Sequence, residues 1–553
     1  MRRWKIAAVV GLIVVGLGAL AWTYRLDLTI QIARLNMPKG EATRPVTWSQ
    51  GPASPAAAGS ARPPNIVVIL ADDLGYNDIT AFGGGVAGGL VPTPNIDSIA
   101  RSGVTFANGY AGNATCAPSR AAMLTGRYAT RFGFEFTPTP VAFSRVVGSF
   151  RAPGGVHPPI FVRDKVSQTP SNPDVLAVPA SEITVAELLR GRGYHTVHLG
   201  KWHLGGVKGQ RPEDQGFDES LGFMAGASMF LPANHPEVVN SRQDFDPIDR
   251  FLWGVQPFTV QFNGGPFFAP ERYMTDYLTD NAVQVVRANR NRPFFLYLAY
   301  NAPHTPLQAT REDYDALSAI KDHRLRVYGA MIRNLDRNIG RVLAELRAQG
   351  LDDNTLVVFT SDNGGAHYIA LPEVNRPYRG WKATFFEGGI HVPFFMRWPA
   401  GLPAGARFER PVGHVDIFST ALGAAGVTPP ADRQVDGANL VPFVHGTAPG
   451  DPHRALYWRS GEYRTVLADG WKLQVSQQPR RTWLFHLATD PTERTDLAAS
   501  RPDKVAELQK VLAELDGQMV PPMWPSLLKA PVPIDKVLGQ QQTPQDEYIY
   551  WSN

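Results

Sequence analysis

Asn65-Ile66-Val67-Val68-Ile69-Leu70-Ala71-Asp72-Asp73 is an apolar run closed by two carboxylates. Its first six residues show no polar alternation, which suits a strand covered on both faces. Four further runs have the same character: Thr196–Leu199, Phe294–Ala299, Thr355–Thr360 and Val392–Met396. Between them, Thr184–Arg192, Met274–Asn289 and Leu325–Gln349 carry apolar residues at helical spacing. This alternation predicts an α/β fold with a largely parallel sheet sandwiched by helices. Parallel sheets place ligands beyond the carboxyl ends of their strands, where Asp72 and Asp73 fall.

The rest of the chain is organised around this core. Its 553 residues allow one large α/β domain, expected over 65–450, and a smaller one. Over 451–520, Tyr457–Trp458, Thr465–Leu467 and Trp471–Val475 read as short strands before a helix at Lys504–Leu515, a small antiparallel α+β subdomain. Residues 521–553 are rich in proline and are expected to run extended over a surface. At the other end, Arg2, Arg3 and Lys5 precede an uncharged apolar run, Ile6–Trp22. Residues 1–25 therefore read as a signal peptide or a membrane anchor. Ala19-Leu20-Ala21 favours cleavage; Trp22 and Tyr24 favour retention in an interfacial belt, and the balance leans to an anchor. Leu26–Met37 suits a short amphipathic helix. The whole of 26–64 reads as a tether, because Thr43–Pro64 is dominated by Pro, Ala, Gly and Ser. An exported, periplasmic protein held at the inner membrane is expected, and the single cysteine agrees because no internal disulfide can form. The net charge of +4 and the lack of any long basic run give a nucleic-acid partner no support.

Two strand ends carry paired oxygen ligands. Asp72 and Asp73 follow the first strand, and Ser361-Asp362-Asn363-Gly364-Gly365 follows Thr355–Thr360. Four oxygen-bearing side chains at neighbouring strand ends suit a hard divalent cation such as Ca²⁺ or Mg²⁺. A third element is Cys116-Ala117-Pro118-Ser119-Arg120, followed by Leu124-Thr125-Gly126-Arg127. This resembles the signature of the sulfatases, in which the cysteine of C-x-P-S-R is oxidised to formylglycine. Gly200-Lys201-Trp202-His203-Leu204-Gly205, Asn301-Ala302-Pro303-His304 and Arg379-Gly380-Trp381-Lys382 resemble later motifs of that family, in family order. The resemblance extends over roughly Asn65 to Ala499.

Several expectations follow from the resemblance. The fold would be alkaline-phosphatase-like, and the reaction hydrolysis of a sulfuric ester through a formylglycine-sulfate intermediate. One hydroxyl of the aldehyde hydrate attacks sulfur, and the other expels sulfate. Asp72, Asp73, Asp362 and Asn363 would hold Ca²⁺ beside residue 116, which also contacts the ion. Arg120 would orient the diol, and Lys201 and Lys382 would clamp sulfate oxygens. His304 would act as general acid and His203 as general base. A formylglycine-generating maturation enzyme is the implied partner. His198, within an apolar strand, reads as a packed core residue.

Two rival functions use the same residues: a phosphodiester or phosphonate monoester hydrolase, and a catalytically silent glycan-binding surface protein. Phe132–Ser181 and Met224–Arg272 interrupt the core alternation and read as pocket walls. Their aromatic side chains suit an aryl group and a sugar face equally well.

Overall fold

The structure is a computed structural model that describes residues 2–55 and 62–553. Its centre is a ten-stranded sheet. In chain order the strands are β1 (Asn65–Ala71), β2 (Val104–Phe106), β3 (His195–Lys201), β4 (Glu219–Phe223), β5 (Val260–Phe262), β6 (Phe267–Phe268), β7 (Phe294–Ala299), β8 (Thr355–Ser361), β9 (Phe394–Arg397) and β10 (Ala406–Phe408). They lie side by side as β10-β2-β9-β8-β1-β7-β3-β4-β5-β6. The run β8-β1-β7-β3-β4 is parallel, and antiparallel pairs flank it on both sides. Every residue of β1, β7 and β8 is buried, as their unbroken apolar sequences require. Separate apolar clusters fill the two faces of the sheet: Val67 and Ile69 belong to one, Ile66, Val68 and Leu70 to the other.

Six helices matter for the site. They are α1 (Arg2–Thr23), α2 (Arg25–Leu35), α3 (Cys116–Thr125), α4 (Val141–Ser149), α5 (Pro247–Val255) and α6 (Met274–Ala288). Residues 456–486 form a four-stranded antiparallel sheet, one strand more than the sequence pattern marked, packed under the helix Pro502–Asp516.

Two segments differ from expectation. Within 26–64, residues 41–51 lie against the main domain: Glu41 bridges to Phe268, Trp48 is buried against Phe262, and the Trp48 indole donates to Asn281. Composition misjudged this stretch because one tryptophan and a few backbone hydrogen bonds suffice to pin it. Residues 56–61, part of the same expected tether, lie outside the described residues. The expected extended tail instead forms strands Leu528–Pro533 and Tyr548–Ser552, which pair antiparallel and add Ile160–Phe161 as a third strand. Among the described residues no single helix is long and apolar enough to cross a membrane. Val9–Thr23 and Arg25–Leu35 together meet that length and composition as a pair bent by 72°.

His198 illustrates the core electrostatics. Its ring packs on Trp202, Phe217 and Tyr297, and neither ring nitrogen has a hydrogen-bond partner. Burial holds its pKa down at about 3, against 6.5 for an exposed histidine. Between those values the unfolded chain binds the extra proton. The stability tied to His198 is therefore complete above pH 6.5 and is lost as pH falls towards 3. His198→Phe is expected to flatten the acid limb of stability by one proton, about 1.4 kcal/mol per pH unit. Denaturant titrations between pH 4 and 6.5 would read this, and an unchanged slope would contradict it.

Candidate active site

Strand register assembles the site. Leu70 pairs with Thr360 on one side and with Ala299 on the other, and Ala299 pairs with Gly200. Asp72 and Asp362 therefore leave neighbouring strands at one level, with Lys201 two strands away from Asp72. Asp73 adopts a left-handed backbone (φ 62°), and its N–H donates to Asp362 Oδ1 at 3.1 Å. The next N–H, of Leu74, donates to Ser361 Oγ at 2.9 Å. The two loops thus hold each other.

Helix α3 begins at Cys116 and is buried along its whole length. Arg120 is one turn on, so it shares a face with Cys116. Its Nε donates to Asp362 Oδ2 at 2.9 Å, and its Nη1 donates to the Lys201 carbonyl at 3.0 Å. Its Nη2 lies 3.5 Å from Asp72 Oδ2. Lys201 Nζ donates to Asp72 Oδ2 at 2.6 Å, and Lys382 Nζ to the two oxygens of Asp73 at 2.6 and 2.8 Å.

One ligand atom from each of Asp72, Asp73, Cys116 and His304 lies within 4.8 Å of every other. This group differs in membership from the set read in the sequence. His304 joins it, with Nε2 3.6 Å from Asp73 Oδ2, whereas Asp362 is engaged by Arg120 and the Asp73 backbone. Asn363 donates to Asp73 Oδ1 at 2.8 Å and leaves its own Oδ1 buried without a hydrogen-bond donor. Asp72 Oδ1 is orphaned in the same way. Two unpaired buried oxygens beside Asp73 are what a divalent cation needs, so the donor set fits one.

The charges support the same fit. Asp72, Asp73 and Asp362 are balanced by Arg120, Lys201 and Lys382. An added cation leaves the site positive and suited to an anionic ester. Burial and the Asp362 carboxylate push Asp72 up to about 8, a repulsion that a cation would relieve. Burial opposes the charge on Asp73 too, but Lys382 and His304 outweigh it and hold that carboxyl well below its usual range. Burial disfavours the His304 cation, yet the facing Asp73 raises its pKa above 6.5. For the Cys116 thiol, burial is outweighed by Lys201 and Lys382, which bring it down to about 7.

His203 stands apart from this cluster. Its Nε2 is 3.4 Å from the Pro138 carbonyl, its Nδ1 is unpartnered, and burial followed by the Lys201 charge keeps it neutral. It lines, with Cys116, His304 and Lys382, a cavity of about 1100 Å³. Both loops read as pocket walls contribute: Thr137–Leu176 supplies Phe143 and Phe150, and Phe223–Phe267 supplies Phe251 and Leu252. Sequence reasoning missed Tyr368, whose hydroxyl donates to Asp73 Oδ2 at 3.1 Å; nothing in Ala366-His367-Tyr368 marks it. Arg379 points away from the site, to Asp535 and Glu547 in the segment that joins the two C-terminal strands, and so anchors the loop that carries Lys382.

A buried cysteine beside carboxylates, lysines and a histidine at parallel strand ends suits a hydrolase of anionic esters. The Sulfatase family model matches residues 64–427, and the model described as N-sulphoglucosamine sulphohydrolase, C-terminal, matches 379–519. The chain belongs to the sulfatase family, and it is an enzyme that hydrolyses sulfuric esters. It is 31% identical to human N-acetylgalactosamine-6-sulfatase, over 89% of this chain and 94% of that protein. It is 32% identical to mouse steryl-sulfatase, over 74% and 70%. Among solved structures, Ps i-CgsB in complex with k-i-k-neocarrahexaose superposes with a TM-score of 0.69, 31% identity, and coverage of 84% of this chain and 95% of that one.

Proposed function

We propose that residue 116, oxidised from cysteine to formylglycine, is the nucleophile of this sulfatase, and that Asp72, Asp73, Asp362 and Asn363 hold Ca²⁺ beside it. The observation that carries this reading is the position of Cys116: first residue of a buried helix, within 4.8 Å of Asp72, Asp73 and His304. The hydrated aldehyde supplies two hydroxyls, one to displace the alcohol from sulfur and one to release sulfate. When bound, the cation acidifies that hydrate and offsets sulfate charge. Lys201 and Lys382 receive the sulfate oxygens, each turning from the carboxylate it now pairs with. Arg120 fixes Asp362 and residue 116 relative to each other.

His304 donates a proton to the departing oxygen. Asp73 favours its protonated form, and its Nδ1, 2.5 Å from the Thr305 carbonyl, fixes the ring so that Nε2 faces the site. His203, held neutral, is the base that opens the sulfated residue. The name of the human relative refers to a sugar sulfate and that of the mouse relative to a steryl sulfate, so both carbohydrate and hydrophobic alcohols belong to the substrate range under test. Arg2, Arg3 and Lys5 ahead of the apolar run Ile6–Trp22 support export to the periplasm with α1 as signal or anchor.

The direct test is mass spectrometry of the tryptic peptide Ser102–Arg120 from a maturation-competent host. An aldehyde in place of the thiol supports the reading; an intact thiol in turnover-competent protein overturns it. His304→Ala is expected to slow alkyl sulfates by roughly 10³-fold and 4-nitrophenyl sulfate by under about tenfold, since the nitrophenolate needs no proton. Equal losses would show that His304 binds sulfate instead. Faster hydrolysis of an aryl phosphodiester than of the matching aryl sulfate would favour the phosphoryl rival.

A further inference from the structure

The cavity that holds Cys116 is mostly apolar away from the catalytic groups, and the end of α2 reaches its wall at Ala33, with Met37 and Pro38 following. Phe143 and Val147 from α4, Phe251, Leu252 and Val255 from α5, and Ala33 from α2 line it. Outside the catalytic residues, the charged lining groups Arg151 and Asp174 are exposed, and Asp246 is buried with its two oxygens accepting from the Ile248 and Asp249 N–H groups at the start of α5. The lining does carry buried polar groups, Thr137 and Gln256 among them, but most of its surface is aromatic and aliphatic, which favours an apolar ligand.

Helix α2 is fixed in place as a wall. Ile30 and Ala33, 4% and 7% exposed, pack with Phe143, Phe251 and Leu252 in one apolar cluster. Ile30 sits so close to Gly254 that a Cβ there would lie 2.3 Å from its Cγ2. Asp27 pairs with Arg250 of α5. The opposite face of α2 is also apolar but bare: Leu28, Ile32 and Leu35 are 47%, 61% and 80% exposed. Their spacing puts them on a single stripe. The stripe follows the exposed apolar surface of α1, where Leu12, Val15, Leu17 and Leu20 have no protein cover. Trp22 and Tyr24 mark the bend between the two helices, and Arg25 lies over the Trp22 ring. An apolar helix, aromatic residues at the bend and a second helix with an exposed apolar stripe are the pattern of a chain that enters a bilayer and then lies on it.

We propose that this site takes sulfate esters of bulky apolar alcohols that reside in a bilayer, with α2 resting on the membrane by its outer stripe and walling the pocket with its inner face. The proposal rests on the sulfatase reading above and names its substrate class. A sulfated amphiphile holds its charged group at the bilayer surface and its hydrocarbon below, so its sulfate has to be lifted only a short way to reach residue 116. The apolar lining then replaces the lipid around the alcohol, and little hydrophobic free energy is lost in the transfer.

The test uses the full chain with residue 116 confirmed as aldehyde and three aryl sulfates whose ring bears hydrogen, butyl or octyl. The leaving group is nearly constant across this series, so kcat/KM reports the pocket. Each buried methylene is worth about fourfold, and the octyl ester is expected to exceed the unsubstituted one by at least about 100-fold, chiefly through KM. A flat or falling series, or a sulfated hexosamine hydrolysed faster than the octyl ester, overturns the proposal and leaves the sulfatase reading intact. Absence of hydrolysis of every sulfate ester overturns that reading, and the proposal with it. The double variant Ile32→Glu with Leu35→Glu, whose side chains lie outside the pocket, reads the membrane contact. It is expected to lower turnover of the octyl ester in phosphatidylcholine vesicles at least tenfold and to leave the unsubstituted ester in solution unaffected. Equal vesicle turnover by variant and parent would refute the membrane contact.

Discussion

Cys116→Ala is expected to lower sulfate-ester turnover by roughly 10⁵-fold or more, the scale on which removal of an enzyme's nucleophile acts. The fold should survive, because the change exchanges one small buried side chain for another at the first residue of a helix. The calcium reading makes a second demand on the same variant. Asp72, Asp73, Asp362 and Asn363 stay in place, so added Ca²⁺ should still raise the unfolding temperature, as any ligand of the native state does. Turnover within tenfold of the parent would remove Cys116 from the mechanism. Loss of the calcium shift together with activity would make residue 116 an essential ligand of the ion.

Arg120→Leu should be the most destabilising single change in the site. The guanidinium is fully buried and pairs with Asp362 at 2.8 Å and Asp72 at 3.5 Å. Without it both carboxylates remain buried with one cation fewer, a loss of about 3–5 kcal/mol. The denaturant midpoint should fall with an unchanged slope. Adding Asp362→Asn to Arg120→Leu should recover part of the loss, because the stranded charge is removed with its partner. Strict additivity of the two changes would show that the pair is not coupled.

The central strands were legible because burial on both faces leaves an unbroken apolar run, as in Asn65–Leu70 and Thr355–Thr360. The edge strands were not: β6 has only two residues and β10 only three, too short to show a period. The carboxylates and lysines of the site were legible because their motifs are local and sit at strand ends. Tyr368 was not, since its contact with Asp73 depends on a loop path rather than on a spacing. The same holds for the pocket walls contributed from far along the chain. Ala33, Val532 and Trp551 meet in one cavity, yet no local pattern joins residue 33 to residue 551.

The sheet order has a kinetic consequence. The Asp73 N–H meets the Asp362 carboxylate across 289 positions of sequence, and Lys382 reaches back 309 to the carboxylate of Asp73. Contacts of such long range form only after large loops have closed, which makes folding slow. Cys116 is 3% exposed once folding is complete. A slowly closing chain therefore leaves Cys116 accessible for longer before the core closes over it.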